Sequence, residues 1–579
     1  LKLKIKTMRF FLLNLSVFLG VFTLAQKDVF EAEGIGLREI DRKPRVMSSP
    51  KIIEPKRLEN LPPQKPMVLV SETKIAYDSI EAASVSLEKL IDKLYPFYLK
   101  LGMGSTLMPL GELYVNSTRK SSAYYGLHVK HLSFFGDIKN REKQTLAPAS
   151  FDKTNVGITF KNISSTYDLE GSIDYLNDGF HYYGLINPSA NKDSIAQRYH
   201  TVQSTFQFGT KKSDSAAFNM DAQIYFRSTT TDNPFVDSLS LWKPREQAFT
   251  LSAMGKKRSG NDLFYGAFGL RYNGYQYGIL DSTLQVGDSG LVRKNTIIDL
   301  HPGVRSSFLD QKLTLDAGFN ISIDAHEKTR AYFFPKVSVQ YTLVEDMVIP
   351  FVNLEGEVRQ NSLYALYVQN PFIQTNVALF NEIRPYQIQL GVKGLLSNKI
   401  NYQIKGVFAK RNNVALFIND TLLSSGNRFQ VRYDSMNYSC IEGNVSYELN
   451  KKIKLDFIGR FNSYEMLHEA KAWNLPQWDF TLRGVYNLYD KLIAKLSLDV
   501  AFNRYAEVFK PGENVVQINN QYAYAMGSII DGNLGFEYRY NTRYSGFLNI
   551  NNFVSQRYLR YYNYPVMPIQ IVAGITVKF

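Results

Sequence analysis

Cysteine is almost absent from this 579-residue chain. Cys440 stands alone, so no intrachain disulfide and no thiolate cluster for a metal is expected. A single thiol inside a strand-like run reads as a small packing residue. Histidine is scarce as well, with seven, and only 21% of residues are charged, which is low for a soluble chain of this size. The formal charge of +14 is dispersed rather than blocked. About +10 remains once Lys2, Lys4, Lys6 and Arg9 are set aside, without the basic runs a nucleic-acid partner calls for. No apolar run reaches the roughly 20 residues of a membrane-crossing helix.

What is present begins with a leader. Basic residues through Arg9, the apolar run Phe10 to Leu24 and the small-residue site Thr23-Leu24-Ala25 read as a secretory signal over 1–25. Mature sequence then starts near Gln26, with Met8 as an alternative initiator, and no cysteine follows for a lipid anchor. Residues 26–95 are read as a periplasmic leader. It is rich in proline and lysine from Lys27 to about Glu72, a composition that cannot bury a core. Ile80, Ala83, Leu87, Leu90, Ile91 and Leu94 then recur at helical spacing before Pro96. An exported chain without a membrane helix is either secreted or a β-barrel.

Beyond Pro96 the hydrophobic period becomes two. The last residues, Ile569 to Phe579, put Ile569, Ile571, Ala573, Ile575, Val577 and Phe579 on one face and Gln570, Gly574, Thr576 and Lys578 on the other. Leu313 to Ala325, Ile453 to Phe461, Trp478 to Leu488 and Leu492 to Val500 alternate in the same way. Tight turns are expected at Asp310-Gln311, Val344 to Asp346, Ser397 to Lys399, Asn450-Lys451, Asp490-Lys491 and Asn541-Thr542. Between them lie longer loops: His326 to Arg330, Ser362 to Pro385, Asn419 to Asn427, Met466 to Pro476 and Phe509 to Ile529. Short turns and long loops in strict alternation are the pattern of an outer-membrane barrel. Further turns near Ser121, Tyr167, Ser213 and Asn261 bring the count to about 22 strands, within a range of 18–22. Tyr486, Phe536, Tyr538, Tyr540 and Tyr544 crowd the short turns as an aromatic belt would. The expectation is an all-β transmembrane antiparallel barrel over 96–579, in the cell outer membrane, with the last strand closing onto the strand near Leu101.

A barrel of this size ending in an aromatic residue resembles the barrel of TonB-dependent outer-membrane receptors. More narrowly, Tyr98 to Ser133 (YLKLGMGSTLMPLGELYVNSTRKSSAYYGLHVKHLS) is similar to the opening hairpins of a receptor-like barrel family of Bacteroidota. The resemblance implies solute passage, recognition of Phe579 by the barrel-assembly machinery, and outer-membrane lipid as surroundings. It also implies an amino-terminal plug of well over a hundred residues in such receptors, whereas Gln26 to Tyr95 offers about 70, much of it proline-rich. A barrel without its own plug is therefore expected, filled by its leader, by inward-folded loops such as Tyr364 to Pro385, or by a plug-bearing partner. Met67 to Glu72 is β-prone and is read as a short strand in preference to a TonB box.

Site chemistry is sparse. His128 and His131 are three apart, which on a strand turns them to opposite faces, so no metal is expected there. Ser86-Leu87-Glu88-Lys89 lacks the partner motifs of penicillin-recognising enzymes. Asp174 to Gly179 (DYLNDG) places Leu176 where a calcium loop needs oxygen and is read as a hairpin turn. A lipid-face hydrolase would need Ser and His side by side with an orienting polar residue. No such pairing emerges from the scattered histidines, so no enzyme and no cofactor are expected. The lumen-lining candidates are Asp316, Asn320, Asp324, Lys452, Lys454, Asp456, Arg460, Arg483, Lys495, Asp499, Glu537 and Arg539. The simpler role for these mixed charges is a salt-bridged wall; the sharper one is a solute path. The functional expectation is solute passage or service as the membrane subunit of an envelope complex. The alternative is a closed-lumen scaffold that binds partners.

Overall fold

The computed structural model describes residues 94–118, 122–211, 217–232, 244–277, 291–421, 424–449 and 452–579. The signal segment, nearly all of the leader and the turns near Ser121, Ser213 and Asn450-Lys451 lie outside the described residues. The strands, in chain order, are β1 (Phe97–Gly104), β2 (Met108–Asn116), β3 (Ala123–Phe134), β4 (Phe151–Ile163), β5 (Tyr167–His181), β6 (Ala196–Thr210), β7 (Asn219–Asp232), β8 (Arg245–Ser259) and β9 (Asp262–Tyr277). There follow β10 (Leu291–Phe308), β11 (Leu313–Ala325), β12 (Thr329–Tyr341), β13 (Ile349–Arg359), β14 (Glu382–Ser397), β15 (Ile400–Asp420), β16 (Arg428–Leu449), β17 (Ile453–Met466), β18 (Trp478–Leu488) and β19 (Leu492–Phe502). The rest are β20 (Tyr505–Val508), β21 (Val515–Ile518), β22 (Gln521–Ala525), β23 (Ile529–Arg539), β24 (Tyr544–Asn551), β25 (Leu559–Tyr561), β26 (Tyr564–Pro565) and β27 (Gln570–Lys578).

Twenty-two of these form one antiparallel sheet. Each pairs with its neighbour in sequence, β19 joining β23 and β24 joining β27. The ring closes where β27 meets β1, with Leu101 opposite Ile575, so the last strand meets the strand near Leu101 as expected. At that seam Phe97 and Phe579 exchange backbone hydrogen bonds of 3.0 and 3.1 Å, and their rings stack 5.0 Å apart. Closure removes the free edges that an open sheet would expose.

Alternation explains the faces. Ile571 and Ile575 on β27 are exposed while Gln570, Val572 and Thr576 are buried. Phe319 on β11 and Leu455 and Phe457 on β17 likewise point outward. An apolar exterior of this extent fits lipid and not water. Among the described residues no helix is long and apolar enough to cross a membrane. The short turns share one end with both described termini, and the loops share the other. Tyr489 and Asp490 carry φ of 50° and 55°, the left-handed pair whose twist suits a two-residue hairpin. Tyr486, Tyr538, Tyr540 and Tyr544 are exposed at this end.

Local expectations change in several places. Asp174 to Gly179 is no turn: it runs within β5, with Asp174 opposite Gly157 on β4 and Gln203 on β6. Outward Ile173 and Tyr175 supply a strand period that overrides the local turn composition. Several loops are shorter than expected, because Glu382 to Pro385 belong to β14 and Asn419-Asp420 to β15. The 21- and 22-residue strands β15 and β16 outrun the roughly ten residues a tilted crossing requires. They project past the loop end, where Val414, Leu416, Ile418 and Met436 pack on Trp473. The loop after β19 is itself folded, β20, β22 and β21 forming a small three-stranded sheet.

Candidate functional site

The candidate site is the barrel interior, a polar wall beneath a cap of loops. On β11, Asp316, Asn320 and Asp324 share the inward face and are buried. Asp316 accepts from the Tyr265 hydroxyl at 2.5 Å and from Arg305 Nε at 2.9 Å. Asn320 pairs with His301 Nδ1 at 2.7 Å and donates to the Gly356 carbonyl at 2.8 Å. Asp324 accepts from the Asn381 amide at 2.9 Å, tying the wall to the loop between β13 and β14.

Across the opposite wall the charges are paired both between neighbouring strands and along single strands. Lys405 on β15 contacts Glu442 on β16 at 3.2 Å, Glu442 meets Arg460 on β17 at 2.7 Å, and Arg460 reaches Asp479 on β18 at 3.3 Å. Arg483 lies 3.8 Å from Asp499, which also accepts from Thr481 at 3.0 Å. Lys454 lies 3.9 Å from Asp456, and Glu537 accepts from Arg539 at 2.9 Å. Lys495 shares the inward face of β19 with Ser497 and Asp499. Lys452 departs from the expected placement: it precedes β17, and its ammonium sits over the Tyr489 ring at 5.1 Å. It therefore belongs to the turn-end rim. Like signs are kept apart by opposite ones, so the wall carries no single-sign field.

The loop end is covered. The loop between β13 and β14 turns inward and carries a short helix, Leu363–Gln369, whose N-cap Ser362 accepts from Ala365 N. Leu363, Leu366, Tyr367, Ile373, Val377 and Leu379 are buried in one cluster. That cluster includes Tyr199 on β6 and Phe417 on β15, which stand nine strands apart around the 22-strand ring. It thus bridges far sides of the mouth. Tyr367 stacks on Tyr199 at 4.0 Å and Phe372 on Tyr564 at 3.7 Å. Other loops brace it. The Tyr182 hydroxyl donates to the Ile373 carbonyl at 3.1 Å, Tyr183 to Pro565 at 3.0 Å and Tyr561 to Gln369 at 2.6 Å. Arg504 donates to the carbonyls of Leu559 and Arg560 at 2.9 and 2.5 Å.

One polar latch fastens the cap helix to the wall. The Glu246 carboxylate on β8 accepts from the backbone N–H groups of Leu363 and Tyr364 at 2.7 and 3.1 Å. Arg227 on β7 donates to Glu246 at 3.1 Å and to the Ser362 hydroxyl at 3.3 Å. Its guanidinium lies over the Tyr364 ring at 4.1 Å. Glu246 is wholly buried, so the carboxylate satisfies the first N–H groups of the helix and is neutralised by Arg227 at the same place. Neither Arg227 nor Glu246 is marked in the sequence, since nothing links β7 and β8 to a helix more than a hundred residues away.

Below the cap lies a cavity of about 910 Å³, lined by Glu170, Gln223, Arg271, Asp299, Lys336, Glu357 and other residues from the wall between β4 and β13. Arg271 and Asp299 pair within it at 2.6 Å. Among the described residues no group of three or more His, Cys, Asp or Glu could hold a metal. His128 faces inward to Asn155 at 3.1 Å and Asp174 at 3.4 Å, whereas His131 faces outward to Thr154 at 2.8 Å. The two are on opposite faces, as their spacing predicts. His131 does, however, pair with Ser133 at 2.5 Å. The i, i+2 spacing that puts both on one strand face was the signal for this pairing, and the scatter of the other histidines obscured it.

No family model matches the sequence, and no curated protein matches it. The fold is similar to solved transport proteins. The FrpB iron transporter from Neisseria meningitidis matches at a TM-score of 0.64 and 11% identity, over 84% of this chain and 82% of that one. The copper transporter OprC matches at 0.60 and 13%, over 84% and 82%. The pyoverdine outer-membrane receptor FpvA from Pseudomonas aeruginosa matches at 0.59 and 11%, over 84% and 79%. At these identities the likeness is one of fold: the chain is a closed 22-stranded antiparallel β-barrel, the fold it shares with these transporters and receptors.

Proposed function

We propose that this chain is an outer-membrane solute passage whose outer mouth is held shut by its own loops, with the short-turn end and both described termini in the periplasm. The observation that carries this reading is the inward-folded loop from Gln360 to Asn381, packed between walls nine strands apart. Beneath it the polar cavity and the ion-paired wall supply a solvated route, and the candidates from Asp316 to Arg539, Lys452 excepted, line it. The mixed signs favour neutral or zwitterionic polar solutes over simple anions or cations. A passage of this girth needs a gate, and the latch formed by Arg227, Glu246 and Ser362 is placed to be one. The leader, or a plug-bearing partner recruited through it, would couple opening to the periplasm.

A closed scaffold is the second reading, favoured by the density of the aromatic packing in the cap. Disulfide crosslinking separates the two. With Cys440 replaced by serine, a cysteine pair joining the cap helix to β6 is oxidised in cells. Loss of solute uptake that returns on reduction supports passage, and unchanged uptake with full crosslinking supports the scaffold.

A further inference from the structure

We propose that His131, Ser133 and Thr154 form a hydrolytic site for carboxylic esters on the lipid-facing exterior of the barrel, separate from the lumen. This inference is independent of the passage reading. Three observations carry it.

The first is the face. On β3 the exposed residues Tyr125 and Leu127 fix the outward parity, and His131 and Ser133 continue it; on β4 the exposed Ile158 and Phe160 put Thr154 outward too. His131 and Thr154 are direct cross-strand partners.

The second is the hydrogen bonding. Ser133 Oγ lies 2.5 Å from His131 Nε2, and His131 Nδ1 lies 2.8 Å from Thr154 Oγ1. With the ring proton on Nδ1, the imidazole donates to Thr154 and its Nε2 is left to accept the Ser133 proton. This is the nucleophile, base and orienting group of an acyl-transfer site. Thr154 is a positioning residue, since it acts through the imidazole.

The third is the level. Along each strand the outward face changes from apolar to polar at this height: after Leu127 and Val129 on β3 come His131 and Ser133, and below Thr154 on β4 lie Val156 and Ile158. On the same face Arg198 binds Asp152 at 2.7 Å and Asn177 at 2.9 Å, and Tyr175 meets His200 at 2.9 Å. A lipid-facing surface that turns polar marks the edge of the hydrocarbon, where the ester carbonyls of membrane lipids reside.

In the reaction, Ser133 Oγ attacks the ester carbonyl carbon and its proton passes to His131 Nε2. The bond to the alcohol oxygen breaks and the alcohol leaves with that proton. Water, activated by the same imidazole, then cleaves the acyl-serine, so ester and water become acid and alcohol. Ser133 is only 1% exposed, so a neighbouring side chain must move aside to admit substrate, and turnover is expected to be slow.

The test uses the full chain in mixed micelles, with a fluorophosphonate probe and fatty-acid release measured from two vesicle types, one of glycerophospholipid and one containing lipid A with ester-linked chains. The expected result is an adduct on the Ser133 peptide and fatty-acid release from one vesicle type, which names the lipid. Ser133→Ala should abolish both, and His131→Gln should lower the rate about 10²–10⁴-fold. Thr154→Val should lower the rate and shift its pH profile, with Thr154→Ser restoring both. Heat-dependent migration on gels verifies that every variant is folded. No adduct, together with release no greater than that of a folded Ser133→Ala protein, would overturn the proposal.

Discussion

Replacing Glu246 by alanine should loosen the cap without unmaking the barrel. The carboxylate accepts two backbone N–H groups of the cap helix and pairs with Arg227. Its removal strands those donors and leaves a guanidinium buried without its main counter-charge. Hydrogen bonds to a charged group contribute about 1.5–3 kcal/mol each, and breaking a buried ion pair from one side costs about 3–5 kcal/mol. Part of that loss is recovered because Arg227 keeps Ser362 and the Tyr364 ring. A net weakening of cap docking by about 3 kcal/mol corresponds to a rise of roughly a hundredfold in the undocked population. The assay is single-channel recording in planar bilayers, with limited proteolysis between Gln360 and Asn381 as a structural readout. Opening frequency and cleavage rate should rise together, Glu246→Gln should fall between wild type and alanine, and the melting of the barrel should change little. A folded alanine variant with wild-type opening and wild-type cleavage would refute the latch.

Other expectations concern the wall, the seam and the loops. Arg460→Ala should lower stability by about 3 kcal/mol, read as an earlier thermal transition, because Asp479 and Glu442 both lose it and Glu442 is left with Lys405. Gly574→Ala should impair closure, since a Cβ there would run into the Leu101 carbonyl and lie 2.7 Å from Gly102 Cα; heat-modifiable gel migration should show less closed barrel. Leu482→Arg on the lipid face should cost about 2–4 kcal/mol near the bilayer midplane, although the next residue, Arg483, is already an arginine on the inner face. In the loop sheet, burial pushes the Glu507 carboxyl above the usual carboxylate range against the opposing pull of Arg432. The folded loop then binds a proton more readily than the unfolded one, so its stability falls as pH rises through that raised value. Amide protection in β20 to β22, taken relative to the intrinsic exchange rate at each pH, should be higher at mildly acidic pH than at neutral pH, and Glu507→Gln should remove the difference.

Much of the fold was legible because one physical rule repeats in every strand. Lipid demands apolar side chains at alternate positions, and that demand fixed the outward face of β11, β17, β18, β19 and β27 from sequence. Turn parity added the strand count and the closure of the last strand onto the strand near Leu101, while the register that sets Leu101 opposite Ile575 comes from the fold. The interior was less legible. Arg460 and Asp499 could be placed on the inner face, but their partners Glu442 and Thr481 are set by register between strands, which no single strand encodes. The latch was invisible for the same reason, being a contact between β7, β8 and a distant loop. Lys452 was misplaced because parity says nothing about where a strand stops. His131 and Ser133 were readable in principle, their spacing of two being enough to put them on one face.

The central claim is that the loops close the mouth of an otherwise passable barrel. Its most direct test is the bilayer conductance of the full chain beside a variant in which residues 361–380 are replaced by a short glycine-asparagine turn. The account predicts a wild-type protein that is closed apart from brief openings and a variant with a large, stable conductance. A large, ungated pore from the intact protein, or a folded variant that conducts no more than wild type, would contradict it.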